Sequence, residues 1–117
     1  TELRQLIDTE TAAFDESDLD EYYAVNDNLH LKIAEYSGNN VLYGYIKELL
    51  DKTRIYLILY EPFYKLEYSR TTEHEAIIEA LEAGDPLRAE RAVEAHINSA
   101  IEELGSAGRL PDDYLTL

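Results

Sequence analysis

The sequence of 117 residues contains no cysteine. Disulfides and thiolate metal sites are thereby excluded, and a reducing cytoplasm is a compatible setting. Basic residues are scarce: 10 Lys and Arg stand against 25 Asp and Glu, a formal charge of −15 at pH 7. A nucleic acid is held mainly by Lys and Arg neutralising its phosphates, so a surface of this sign repels that backbone. An anionic membrane surface is disfavoured for the same reason, and no apolar run approaches the roughly 20 residues of a spanning helix. Where a secretory leader would place basic and then apolar residues, Glu2, Asp8 and Glu10 fall instead. Also missing are a His-Glu-x-x-His pair, a Gly-rich phosphate loop, and a Ser or Cys nucleophile in a recognisable setting beside a histidine. The chain opens on Thr1 without an initiator methionine, which we read as the sign of a piece cut from a longer protein.

What is present describes a folded, water-facing, all-α chain. Apolar residues at 45% and charged residues at 30% suit one domain of ordinary size. Apolar positions recur at helical spacing and nowhere alternate for long enough to predict a strand. Leu3, Leu6, Ile7 and Phe14 mark a first helix, and the run Asp15 to Asp18 ends it and offers N-caps to the next. A second helix is predicted from about Leu19 to Tyr36, stopped by Ser37-Gly38-Asn39. A third starts near Asn40 and runs to a break at Pro62; it is the most apolar and is expected at the centre of the bundle. The spacing of Tyr56, Tyr60, Tyr64 and Tyr68 predicts a short helical piece across that break. Thr72 with Glu75 reads as a capping box opening a helix that ends at Gly84. Asp85-Pro86 opens the last helix, predicted to close near Leu104 and Gly105. Five to six helices joined by short turns form an antiparallel helical bundle, with residues 1–105 as the domain and 106–117 as a tail.

Three histidines exist, His30, His74 and His96, and each falls on the core-facing side of a different helix. Buried imidazoles cost stability unless something uses their ring nitrogens. A shared metal would use them, since helix bundles build metal sites from inward-projecting imidazoles and carboxylates. Hydrogen-bonded core histidines are the other reading, and spacing leaves both open. A fourth ligand is expected one turn before His30, at Asn26, whose neutral amide is weaker than a carboxylate; the adjacent Asp27 reads as a solvated acid. Seven of the ten tyrosines lie from Tyr36 to Tyr68 and suit either an apolar pocket wall with hydroxyl tips or ordinary packing. Arg54 is placed to receive a carboxylate, with Tyr56 and Tyr60 beside it; Arg70 is a second candidate, and either arginine alternatively pairs with surface acids. Glu73 reads as a capping residue or as support for a neighbouring ligand.

Asn26-Asp27-Asn28-Leu29-His30, Ser37-Gly38-Asn39, Thr71-Thr72-Glu73-His74, Ala80-Leu81-Glu82-Ala83-Gly84-Asp85 with Ala89, and His96 with Ser99 follow one another in an order that resembles the C-terminal effector domain, FCD, of FadR-type GntR transcription regulators. The resemblance covers about residues 20 to 104. It implies an all-helical bundle that binds a divalent transition metal (Zn, Ni, Mn or Fe) through Asn26, His30, His74 and His96, with a small organic acid lying against the metal. Asn26 stands where many members carry Asp. It further implies a cytoplasmic homodimer whose operator contacts come from a separate N-terminal winged helix-turn-helix, so that DNA is a partner only through a part not in this chain. The opening helix usual in such effector domains is expected to be missing or shortened before Thr1. The function expected is a ligand-sensing regulatory domain and not an enzyme. The alternatives are a metal-dependent enzyme of small carboxylates and a metal-free helical dimerisation module.

Overall fold

In the computed structural model, residues 2–60 and 69–107 are described, with side chains over 2–56 and 69–103. Five α-helices follow one another: α1 Glu2–Asp15, α2 Leu19–Tyr36, α3 Asn40–Tyr60, α4 Thr71–Glu82 and α5 Pro86–Ala107. No strand occurs among the described residues. The short helical piece expected around Tyr64 and Tyr68, and the break at Pro62, lie outside them.

The turns follow from the residues that make them. Asp18 caps α2 by accepting the amide of Glu21 at 3.2 Å, and Asn39 does the same for Leu42 at 3.0 Å ahead of α3. Asp85 accepts the amide of Arg88 at 3.1 Å, and Pro86 opens α5 where a missing N–H costs nothing. Gly38 (φ +72°) and Gly84 (φ +65°) take the left-handed conformation that turns the chain out of α2 and α4. Two expectations fail at helix ends. The Thr72/Glu75 capping box is not made: α4 begins one residue earlier, its N-cap is Arg70 with no side-chain cap, and Ser69 Oγ accepts the Thr71 amide instead at 2.9 Å. Tertiary bonds hold this entry, because Tyr22 OH accepts the Arg70 amide at 2.9 Å and Thr71 Oγ1 donates to Glu10 at 2.7 Å. Nor does Gly105 stop the last helix, which runs through it to Ala107.

The core lies among α1, α2 and α4. Leu3 and Ile7 of α1, Leu29 of α2 and Ile78 of α4 form its centre, with Leu6 and Ile33 packed at the edge. Tyr22, Val25, Ile77 and Ala80 are also buried. Helix α5 pairs with α4, and α3 packs on α2. The most apolar helix is therefore peripheral and not central: Val41, Tyr45, Leu49 and Ile55 of α3 are each more than half exposed. Hydrophobicity marks a face to be covered without saying which element covers it, and within this chain nothing described lies over that stripe.

Candidate metal centre

The core continues directly into a polar cluster. One turn of α2 carries Leu29 into the core and, at the next position, swings His30 about 100° toward α4 and α5. Helix α4 contributes His74, fully buried beside Ile77 and Ile78, and α5 contributes His96, 6% exposed. The three rings converge: centroids lie 4.5 Å apart for His74 and His96, 5.2 Å for His30 and His74, and 5.3 Å for His30 and His96. One ring nitrogen from each lies within 4.8 Å of the others, and the Nε2 atoms of His74 and His96 are 3.2 Å apart.

Carboxylates hold the outer faces of two rings. Glu10 Oε1 lies 2.8 Å from His74 Nδ1, and Glu73 Oε1 lies 2.8 Å from His96 Nδ1. Glu73 is itself held by Arg70 at 3.1 and 3.3 Å. The Arg70 guanidinium, almost wholly buried, also bonds the Ser99 hydroxyl, the Ser99 carbonyl at 3.2 Å and the Glu103 carboxylate. Desolvation by burial pushes His30 down to about 3, with the neighbouring His74 and His96 acting in the same direction. Burial also lowers His96, against the opposing bond from Glu73. The Glu73 carboxyl lies below its ordinary range: burial alone would raise it, and the bonds from His96 and Ser99 together with the Arg70 charge outweigh that. Burial raises the Tyr22 hydroxyl to about 12, so it stays a neutral partner for the Arg70 amide. At neutral pH His30 and His96 are thus uncharged, the form in which imidazole binds a metal.

A cavity of about 190 Å³ opens beside the rings, lined by Tyr22, Tyr23, Asn26, His30, Leu50, Thr53, Arg70, His96, Ala100 and Glu103. That is smaller than the roughly 300 to 1,000 Å³ of pockets for drug-sized ligands, and it leaves room for a small molecule only. A larger hollow at the α2–α3 turn, about 280 Å³ and lined by Ala34, Glu35, Asn39, Asn40 and Tyr43, contains none of the histidines and no buried charge.

Asn26, half-buried, thus shares the cavity with His30 and His96. Arg54 and Tyr56 are not among the cavity-lining residues. The Arg54 guanidinium instead sits 3.6 Å from Asp27, 3.3 Å from the Asp20 carbonyl and 5.5 Å above the Tyr23 ring, bracing α3 on α2. Asp27 is accordingly a half-buried partner of Arg54 and not a solvated acid; burial raises its carboxyl, with the Arg54 charge and a bond from Asn26 opposing. Tyr56 is 40% exposed, and the side chain of Tyr60 lies outside the described residues. The described tyrosines at the cavity are Tyr22 and Tyr23 of α2, not those of α3.

Of the two candidate arginines, Arg70 and not Arg54 lines the cavity. Glu10, to which the sequence assigns no role in the site, falls in the buried stripe Leu3, Ile7, Glu10, Ala13, where an acid signals a partner inside.

The family model of the FCD domain matches residues 1–99. The chain belongs to the FCD domain family. Such domains are the effector-binding part of GntR-type transcription regulators, and the all-helical fold of this FCD domain agrees with that class. Neither the curated proteins nor the solved structures gave a match to it. No described helix of the FCD domain is long and apolar enough to cross a membrane.

Proposed function

We propose that this FCD domain is the sensing half of a cytoplasmic, FadR-type GntR regulator. In this reading His30, His74 and His96, with Asn26, hold a divalent transition metal, and a small organic acid seated in the cavity controls DNA binding by a winged helix-turn-helix elsewhere in the full-length protein. The observation that carries the reading is the convergence of three ring nitrogens from three helices. Zn–N bonds of about 2.0–2.1 Å in a tetrahedron put neighbouring ligand nitrogens about 3.3 Å apart, close to the 3.2 Å between His74 and His96. The charges support it too. Two carboxylates, Glu10 and Glu73, face the outer nitrogens of these rings, and negative charge at that position favours a bound cation.

A bound cation would supply a Lewis-acidic positive charge for a carboxylate to lie against. The chain's own groups supply the remainder of the seat. Tyr22, Tyr23, Leu50 and Ala100 give apolar walls, Thr53 a hydroxyl, and Arg70 a guanidinium. An effector that binds one arrangement of the helices more tightly than another shifts the population between them. The exposed apolar side chains of α3, together with Leu87, Ile97 and Ile101 of α5, support a homodimer as the unit that responds.

Metal analysis of untagged protein is the direct test, alongside His74→Ala and His96→Ala. About one equivalent is expected in the parent protein and a marked loss in both variants. Metal well below one equivalent, insensitive to either change and not restored by titration, would overturn the reading. Mass spectrometry of small molecules released on denaturation then identifies the effector.

A further inference from the structure

The two facing imidazoles carry a constraint that their neighbours impose. A hydrogen bond between His74 Nε2 and His96 Nε2, 3.2 Å apart, requires a proton on one of those atoms. A neutral ring has one proton, and in each ring the other nitrogen faces a carboxylate oxygen at 2.8 Å. Glu73 also receives the Arg70 guanidinium, so it is an acceptor and His96 Nδ1 is the donor. Glu10 Oε1 already accepts the Thr71 hydroxyl at 2.7 Å, and that hydroxyl in turn accepts from Ser69 Oγ at 2.5 Å. As a carboxylate Glu10 is acceptor-only, so its Oε1 accepts from both Thr71 and His74, and His74 Nδ1 is the donor.

Glu10 is 0% exposed on an otherwise apolar stripe of α1, and its second oxygen is buried without a hydrogen-bond partner. Burying a carboxylate costs several kcal/mol unless it is well paired. Every hydrogen bond shown for its carboxylate passes through Oε1 to His74 and Thr71. The packing of α1 against Leu29 and Ile78 would be served as well by an aliphatic residue.

We propose that Glu10 is a positioning residue: from a helix that contributes none of the three imidazoles, it fixes His74 as the Nδ1–H tautomer and turns the Nε2 lone pair toward His96 and a shared cation. Glu73 does the same for His96. Two lone pairs opposed at this distance repel one another, and a cation between them turns the repulsion into two bonds. The inference rests on the metal reading above and adds to it the group that sets ligand orientation.

With three histidines in the chain, long-range proton–nitrogen NMR of histidine-labelled, untagged protein in chelator reads each tautomer directly, and Co²⁺ titration reads the site. In the parent protein His74 should show a protonated Nδ1 and a bare Nε2. Glu10→Leu should return the proton to Nε2 and weaken Co²⁺ binding by about 10- to 100-fold. Glu10→Gln, whose amide oxygen can accept the same bond, should keep the tautomer and lose less. A protonated His74 Nε2 in the parent protein, or Co²⁺ binding unchanged in Glu10→Leu, would overturn the role of Glu10. No Co²⁺ uptake by the parent protein overturns the metal reading itself. Should the leucine variant fail to fold, the tautomer of the parent protein and the glutamine variant still decide the matter.

Discussion

Acid should destabilise this domain through His30 in a way that can be separated from its many carboxylates. In the folded chain His30 titrates at about 3, because burial disfavours the imidazolium and two other rings surround it. In the unfolded chain it titrates near 6.5. The folded value is the lower one, so the unfolded state binds more protons below pH 6.5, and stability falls as pH falls from there toward 3. One unit of pH in that window is worth about 1.4 kcal/mol per such group. Between pH 7 and 4.5 His30 alone should therefore remove on the order of 2 to 3 kcal/mol, a large share of the roughly 5 to 15 kcal/mol that holds a small domain folded. Urea unfolding in chelator at several pH values, comparing the parent protein with His30→Gln, isolates this contribution, since the carboxylates act on both proteins alike. The variant should gain on the order of 2 to 3 kcal/mol on the parent protein over that range. Stability curves that stay parallel within about 0.5 kcal/mol would refute the claim that the folded state excludes the charged ring.

Arg70→Met should cost roughly 3 kcal/mol in urea unfolding, because Glu103 and the half-buried Glu73 then lose their shared cation. Lys52→Ala, which removes an exposed pair with Glu48, should change stability by less than about 0.5 kcal/mol. Ile78→Ala empties a site 1% exposed at the meeting point of α1, α2 and α4, and should lower stability by about 3 kcal/mol with a matching fall in Tm.

The helices were legible because local chemistry decides them. Asp18, Asn39, Asp85-Pro86, Gly38 and Gly84 act at the places their side chains and backbone freedom suggest. The entry to α4 was not, because Ser69, Tyr22 and Glu10 outweigh the Thr72/Glu75 pattern, and two of those three lie far away in sequence. The histidines could be read as inward-facing from their apolar neighbours, and the structure brings them together. Their carboxylate partners could not be read with the same ease in a chain with 25 acids. Glu73 is adjacent to His74 yet bonds His96, and Glu10 reaches His74 across 64 positions. Arg54 looked like a ligand-binding residue because cations are few, but an arginine beside so acidic a helix as α2 finds Asp27 first.

Arg70 touches three helices at once: its amide is bound by Tyr22 of α2, and its guanidinium by Glu73 of α4 and by Ser99 and Glu103 of α5. Sliding α5 along α4 would carry Ser99 and Glu103 away from a cation that water scarcely reaches. Intermediate positions leave that charge half-partnered and are the costly ones. Any movement of α5 along α4 therefore has to supply the guanidinium with new partners in the same step.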